Sequence, residues 1–312
     1  MATKKAKKKS NDPVVSKMIA LSAGGIAAEL AVDGVGIEHV EELMIRVSAS
    51  LLRKSHRLLF GGTLGDKDKR LTEHLIDTTQ VWLNEDVGKA ADINIPETWP
   101  LTNYAAWPHY TKVLSQRRAR LVGICNFIDI DPNGTSKREL SRLADSKEPQ
   151  DQTRVKLEFA AALTQMRQES AKLADMRIVW GGKIRGSSGW LPGIFEEVGC
   201  TLDEERPVLI FGGFGGCARK IASFLTDPKA NWPVELDLSS CASAERDQLL
   251  TEEERQQLVE RADKYKRLVS EYRTKLQGET EGVLYKALSV TSLRGAVQLA
   301  QEFVKMVASE KK

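Results

Sequence analysis

The sequence predicts an α/β fold: a parallel sheet with helices on both faces, followed by a C-terminal helical segment. Three observations carry this. Short apolar runs of strand length end in glycine turns at four places between residues 14 and 221. Between those runs, apolar residues recur at spacings of three and four, the period of an amphipathic helix. After Pro228 the glycine turns stop and only helical periodicity remains. Strands that alternate with helices build parallel sheets whose crossovers cover the faces.

Taken in order, residues 14–21 are a first strand ending at Gly24-Gly25. Ile37, Val40, Met44, Val47 and Leu51 mark a helix, closed by Arg53 and Lys54 at its negative end. Residues 56–60 form a second strand, ended by Gly61-Gly62-Thr63-Leu64-Gly65, and a helix centred on Thr72 to Trp82 follows. Asp86 to Tyr110 carries Pro96, Pro100 and Pro108 with Trp99, Tyr104 and Trp107 between them, and is expected to be a loop. Such a loop either lids a pocket with stacking rings or packs as an anchored surface segment. Residues 121–128 read as a strand, and 136–150 as a polar surface excursion. Val155, Phe159, Ala162, Met166 and Leu173 give a long helix, before a strand at 177–180 that is cut by Gly181-Gly182.

The run from Pro207 to Ile221 then breaks into four glycines, Gly212, Gly213, Gly215 and Gly216, around Phe214, before resuming as a helix. Glycines let backbone N–H groups approach a ligand, and the positive end of the following helix stabilises an anion. Arg219 in the first turn adds a cation. The alternative is a plain tight turn. Ligands of open parallel sheets bind outside the carboxyl ends of the strands, so all four glycine turns are expected to gather on that edge. Further on, Thr251 with Glu254 makes a capping box. Leu258, Ala262, Tyr265, Val269, Tyr272 and Leu276 form a stripe ended by Gly278, serving either core packing or a dimer seam. A last helix spans roughly 292–309.

Composition bounds the function. With 312 residues, 41% hydrophobic and 29% charged, the chain reads as a soluble globular protein without a membrane span or secretory signal. Five lysines crowd residues 4–9, and without them the net charge of +3 becomes slightly negative, which argues against a specific nucleic-acid binder. Cys125, Cys200, Cys217 and Cys241 lie far apart and the four histidines are scattered, so no metal site or cofactor is expected, and reduced thiols suggest a cytoplasmic protein. The expected organisation is a disordered basic tail over 1–12, a ligand-binding domain over 13–232, and a helical segment over 233–312 packing on the core.

Three local patterns resemble the SLOG superfamily of Rossmann-like domains, which joins the "lonely guy" phosphoribohydrolases, DprA-type proteins and sensor domains of prokaryotic conflict systems. Leu59 to Gly65 is similar to the glycine turn of the family's second β–α unit. Pro192-Gly193-Ile194-Phe195-Glu196-Glu197 resembles the phosphoribohydrolase element P-G-G-x-G-T followed by glutamate. Gly212 to Gly216 is similar to the late glycine turn of the conflict-system members. The resemblance covers about residues 14–226. It implies a pocket for a nucleotide or an ADP-ribose-like, NAD-derived molecule. Phosphates would meet backbone N–H groups at Gly24, Gly25, Gly61, Gly62, Thr63 and Gly213 to Gly216, with Gly182 and Gly193 on the same edge. Thr63, Lys183, Arg185 and Arg219 would help, although Lys183 and Arg185 also read as ordinary loop charges. Glu196 or Glu197 would bind a ribose hydroxyl or act in glycosidic chemistry, unless they are simply acids in a first helical turn. The chain departs from the phosphoribohydrolase element at Gly193-Ile194, where the family has glycine and threonine. That suits the sensor branch, which binds without turnover, and leaves an N-glycosidic hydrolase as the alternative. The expected partners are a nucleotide-derived small molecule, a second copy of the chain and a separate effector protein, with no membrane.

Overall fold

A computed structural model describes residues 16–64, 70–85, 99–241, 250–277 and 282–309. The basic tail, Val14-Val15, Gly65, Pro96 and Gly278 lie outside the described residues. Six strands form one parallel sheet: β1 (Met18–Gly24), β2 (Arg57–Gly61), β3 (Leu101–Ala106), β4 (Cys125–Ile130), β5 (Met176–Gly181) and β6 (Val208–Phe211). Their order across the sheet is β4-β3-β2-β1-β5-β6. The described helices are α1 (Ala27–Val32), α2 (Ile37–Leu52), α3 (Arg70–Glu85), α4 (Ser115–Arg120), α5 (Lys137–Asp145), α6 (Pro149–Leu173), α7 (Gly193–Asp203), α8 (Gly216–Thr226), α9 (Leu238–Cys241), α10 (Glu252–Gln277), α11 (Val283–Ala287) and α12 (Leu293–Ser309).

Both faces of the sheet are covered, which is why β3 and β5 are buried at every residue. On one face Ile19, Leu21, Ile178 and Trp180 pack with apolar residues of α2, α3 and α12. On the other, Ala20, Val179 and Ile210 meet α5 to α8 and α10. The stripe on α10 belongs to this core. Tyr265 and Tyr272 are buried, the Tyr272 hydroxyl donates to the Val208 carbonyl at 2.6 Å, and Gly199 on α7 lets the Tyr265 ring approach. Of its two readings, core packing is the one realised.

Three sequence expectations are corrected. The segment between Trp99 and Trp107 is not a loop: residues 101–106 are interior strand β3, with Trp107 buried behind it. Pro100 and Pro108 flank the strand rather than interrupt it, so no lid forms from that segment. The strand expected at 121–128 starts later, at Cys125, because Leu121 to Ile124 turn back on α4. The polar stretch 136–150 contains α5, capped by Ser136, whose hydroxyl accepts the Glu139 N–H.

After β4 the chain returns to the far side of β1, so the strand order reverses between β1 and β5. There the backbones close up. The Gly182 N–H donates to the Gly24 carbonyl at 2.6 Å, and a Cβ on Gly181 would overlap that same oxygen. Gly181 also has a φ of +63°. Gly186 shares that φ but faces open space. Gly186→Ala is therefore expected to cost only the left-handed strain, about 1–2 kcal/mol. Gly181→Ala should cost clearly more, and denaturant unfolding of both variants measures the difference.

His56 supplies a pH dependence. Burial, followed by the nearby Lys54 and Lys17 charges, holds its pKa below the ordinary value of 6.5. The unfolded chain therefore binds this proton more readily than the folded one, and stability falls as pH drops through about 6.5. Unfolding followed between about pH 7.5 and 5.5 should show this loss, and His56→Gln should flatten it.

Candidate functional site

The reversal between β1 and β5 opens a cavity of about 480 Å³ at the carboxyl ends of the strands, within the ordinary range for small-molecule sites. Three of the expected glycine turns line it: Gly24-Gly25 after β1, Gly61-Gly62-Thr63 after β2 and Gly182-Lys183 after β5. Gly193 and Ile194, which open α7, complete that side. Close packing explains the glycine at 62, where a Cβ would overlap Thr72 Oγ1. The Asn103 amide donates to the Phe60 and Gly62 carbonyls at 3.2 and 3.3 Å and fixes this turn from below. On the turns that line the cavity, the Gly62 N–H is already engaged with the Tyr104 carbonyl and the Gly182 N–H with that of Gly24.

The two glutamates of the α7 start separate. Glu196 is fully buried, accepts from Thr164 Oγ1 at 2.6 Å and pairs with Arg167 Nη1. It does not line the cavity. Glu197 does, with Arg177 Nη1 3.8 Å away. Arg167, in the last third of α6, is buried and also lines the cavity, against Gly189 and Gly193. Burial pulls its pKa down, but the Glu196 and Glu197 carboxylates outweigh that and hold it above the usual value. Its Nε has no hydrogen-bond partner among the described residues.

His109 and Phe159 line the cavity edge to face at 4.5 Å, Tyr104 lies on the same face of the sheet as Phe159, and Phe60 reaches the cavity from the other face. Burial, then Glu169, raises the Tyr104 pKa, so the phenol stays neutral. Glu41 of α2 adds a carboxylate 3.7 Å from His74 Nε2. Arg167, Glu41, Phe60, His109 and Phe159 were not found as site residues from sequence, whereas Tyr104 was among the stacking rings expected of its segment. Arg167 and Glu41 sit inside helical periods, where charged residues look like solvated faces. Tyr104 lies on β3, a strand hidden between two prolines.

Arg185 points elsewhere: its backbone N–H, like that of Ile184, donates to Glu29, at 3.2 and 3.0 Å respectively, and the residue is absent from the cavity wall. The turn at Gly212-Gly213-Phe214-Gly215-Gly216, with Arg219, also lies outside it. A Cβ on Gly216 would overlap the Gly182 carbonyl, and the Gly216 N–H donates to Asp33 Oδ2 at 2.9 Å. This turn packs behind the β5 turn, so three glycine turns converge on the cavity and the fourth supports them.

Comparison with known proteins bears on this arrangement. The chain matches the profile of the SLOG cluster2 family over residues 13–290. It belongs to the SLOG cluster2 family. No curated protein matches it. Membership agrees with the Rossmann-like parallel sheet and supports a nucleotide-ligand-binding domain in this SLOG chain. Among the described residues no helix is long and apolar enough to cross a membrane.

The divided glutamates lead to a distinction in stability. Glu196→Ala leaves Arg167 buried without its carboxylate and is expected to cost about 3–5 kcal/mol in denaturant unfolding. Glu197→Gln, at the cavity surface, should cost much less in the same measurement.

Proposed function

We propose that this SLOG protein is a sensor that binds a nucleotide-derived ligand, of the ADP-ribose or NAD-derived kind, in the cavity over β1 and β5. One observation carries the reading: the start of α7 meets a buried arginine, Arg167, in a cavity that aromatic residues also line. Glu196 offsets the Arg167 charge, which leaves the positive end of α7 facing the cavity. An anion entering the cavity meets that end, with Lys183 at hand. The His109 and Phe159 rings suit a base, and Glu197 and Glu41 suit ribose hydroxyls as acceptors. Occupancy would be passed to a separate effector, in a prokaryotic anti-phage or conflict system, directly or through a second copy of the chain.

A second reading is favoured by Glu197 alone, the carboxylate of the α7 start that reaches the cavity. It makes the protein an N-glycosidic hydrolase in which Glu197 stabilises the developing oxocarbenium ion. Glu196, tied to Arg167 and Thr164, takes no part.

Calorimetric titration with ADP-ribose, cyclic ADP-ribose, NAD and AMP tests both. At least one is expected to bind, and Lys183→Met should weaken it about tenfold, equivalent to about 1.4 kcal/mol. Failure of all four to bind the folded protein would sink the sensor reading. Product chromatography decides between the readings: turnover by the wild type that disappears in Glu197→Gln establishes the hydrolase.

A further inference from the structure

Glu41 differs from the other carboxylates near the cavity. Glu196 pairs with Arg167, and Glu197 has Arg177 close behind it. Among the described residues the charged neighbour of Glu41 is His74 of α3, which carries a charge only when protonated. Their 3.7 Å separation is too long for a hydrogen bond, and His74 Nε2 has no hydrogen-bond partner among the described residues. The α2 positions three and four residues away, Ile37, Glu38, Met44 and Ile45, hold no cation. Yet the Glu41 side chain is only 17% exposed. A carboxylate so far out of water is ordinarily paired or hydrogen-bonded.

The wall near it is apolar. Ile37, Phe60 and Leu71 line the cavity and belong to the core on the α2–α3 face of the sheet. The start of α7 packs on the opposite face, so the cavity runs over the strand ends from one face to the other. A ribose hydroxyl would give Glu41 a hydrogen bond and leave its charge unanswered. A cation answers the charge. An ammonium group brings N–H donors for which Ile37, Phe60 and Leu71 offer no side-chain acceptors. A ring cation with delocalised charge and no N–H packs against apolar walls and is attracted to an aromatic face such as Phe60.

We infer that Glu41 and Phe60 form a cation subsite, and that the ligand is a zwitterionic nucleotide of the N-ribosylpyridinium class. Its positive ring sits by Glu41, and its phosphate lies towards the start of α7 and Lys183. The inference rests on the nucleotide reading of the cavity, which supplies the anionic end; the positive ring is the addition.

Nicotinamide mononucleotide and its reduced form are the probes, because they differ by one hydride and the ring charge. In calorimetric titration of the full chain, the oxidised form is expected to bind about tenfold tighter or more, the scale of a close charge pair. Equal affinity for the two forms in the wild type overturns the cation subsite, and this comparison needs no variant. In Glu41→Gln the two forms should bind alike, the loss falling on the oxidised one. A preference that survives the substitution overturns the assignment to Glu41. AMP is titrated alongside. Binding of AMP without any preference for the oxidised mononucleotide removes the subsite and leaves the nucleotide reading standing. Failure of all three to bind overturns both.

Discussion

Arg177 ties the sheet to the helices that shape the cavity. It projects from β5 into the core, and each guanidinium nitrogen donates to a hydroxyl from a different element: Nη1 to Ser22 of β1 at 2.6 Å, Nη2 to Ser170 of α6 at 2.8 Å and Nε to Thr201 of α7 at 2.7 Å. Taking a cation out of water costs several kcal/mol unless its donors are satisfied and a countercharge is near. Here all three nitrogens have acceptors and Glu197 lies 3.8 Å away, yet burial still pulls the Arg177 pKa below its usual value. The arrangement leaves α6 and α7 little freedom over the sheet, because sliding either one would strip a buried donor. A second buried pair, Arg167 with Glu196, repeats the bond between the same two helices. The start of α7 is thus fixed from two sides before any ligand arrives.

That fixing makes the topology useful. Reversal of strand order leaves an opening between the helices at the carboxyl ends of β1 and β5, but an opening becomes a site only if its walls hold their places. The glycines do much of this by close backbone approach. Gly181 sits against Gly24, and Gly216 against the Gly182 carbonyl, with the Cys217 N–H donating to that oxygen at 3.0 Å. Three consecutive turns therefore brace one another from β1 through β5 to α8. The last of them never reaches the cavity, yet the position of Lys183 depends on it.

This explains what could be read from the sequence. Strand ends are legible because glycine after a short apolar run marks both the end of pairing and a tight turn; β1, β2, β5 and β6 were found that way. The edge of the sheet that carries the site followed from parallel topology. The same signal could not separate a glycine that admits a ligand from one that admits another backbone, since each needs the missing side chain for the same steric reason. Gly212 and Gly216 are of the second kind in this fold. Strand β3 was hidden because its six residues, Leu-Thr-Asn-Tyr-Ala-Ala, lack a strong apolar run and stand between Pro100 and Pro108. Arg167 was hidden because it is spaced like any helical residue, and only the fold shows that its position faces Gly189 and Gly193.

The charge balance of the cavity narrows what it can hold. Arg167 and Glu196 offset one another, and Glu197 has Arg177 close behind it, so neither pair gives the cavity a strong sign. Lys183 makes no ion pair among the described residues, and Glu41 faces a histidine that is charged only when protonated. A polyanion would find too little positive charge to repay the loss of its hydration. A purely apolar molecule would leave the Lys183 ammonium and the first N–H groups of α7 without partners. A molecule with one compact anionic group, several hydroxyls and an aromatic ring meets each of these surfaces with matching chemistry. Its binding depends on the placement of those groups more than on net attraction, and that placement is held by Arg177.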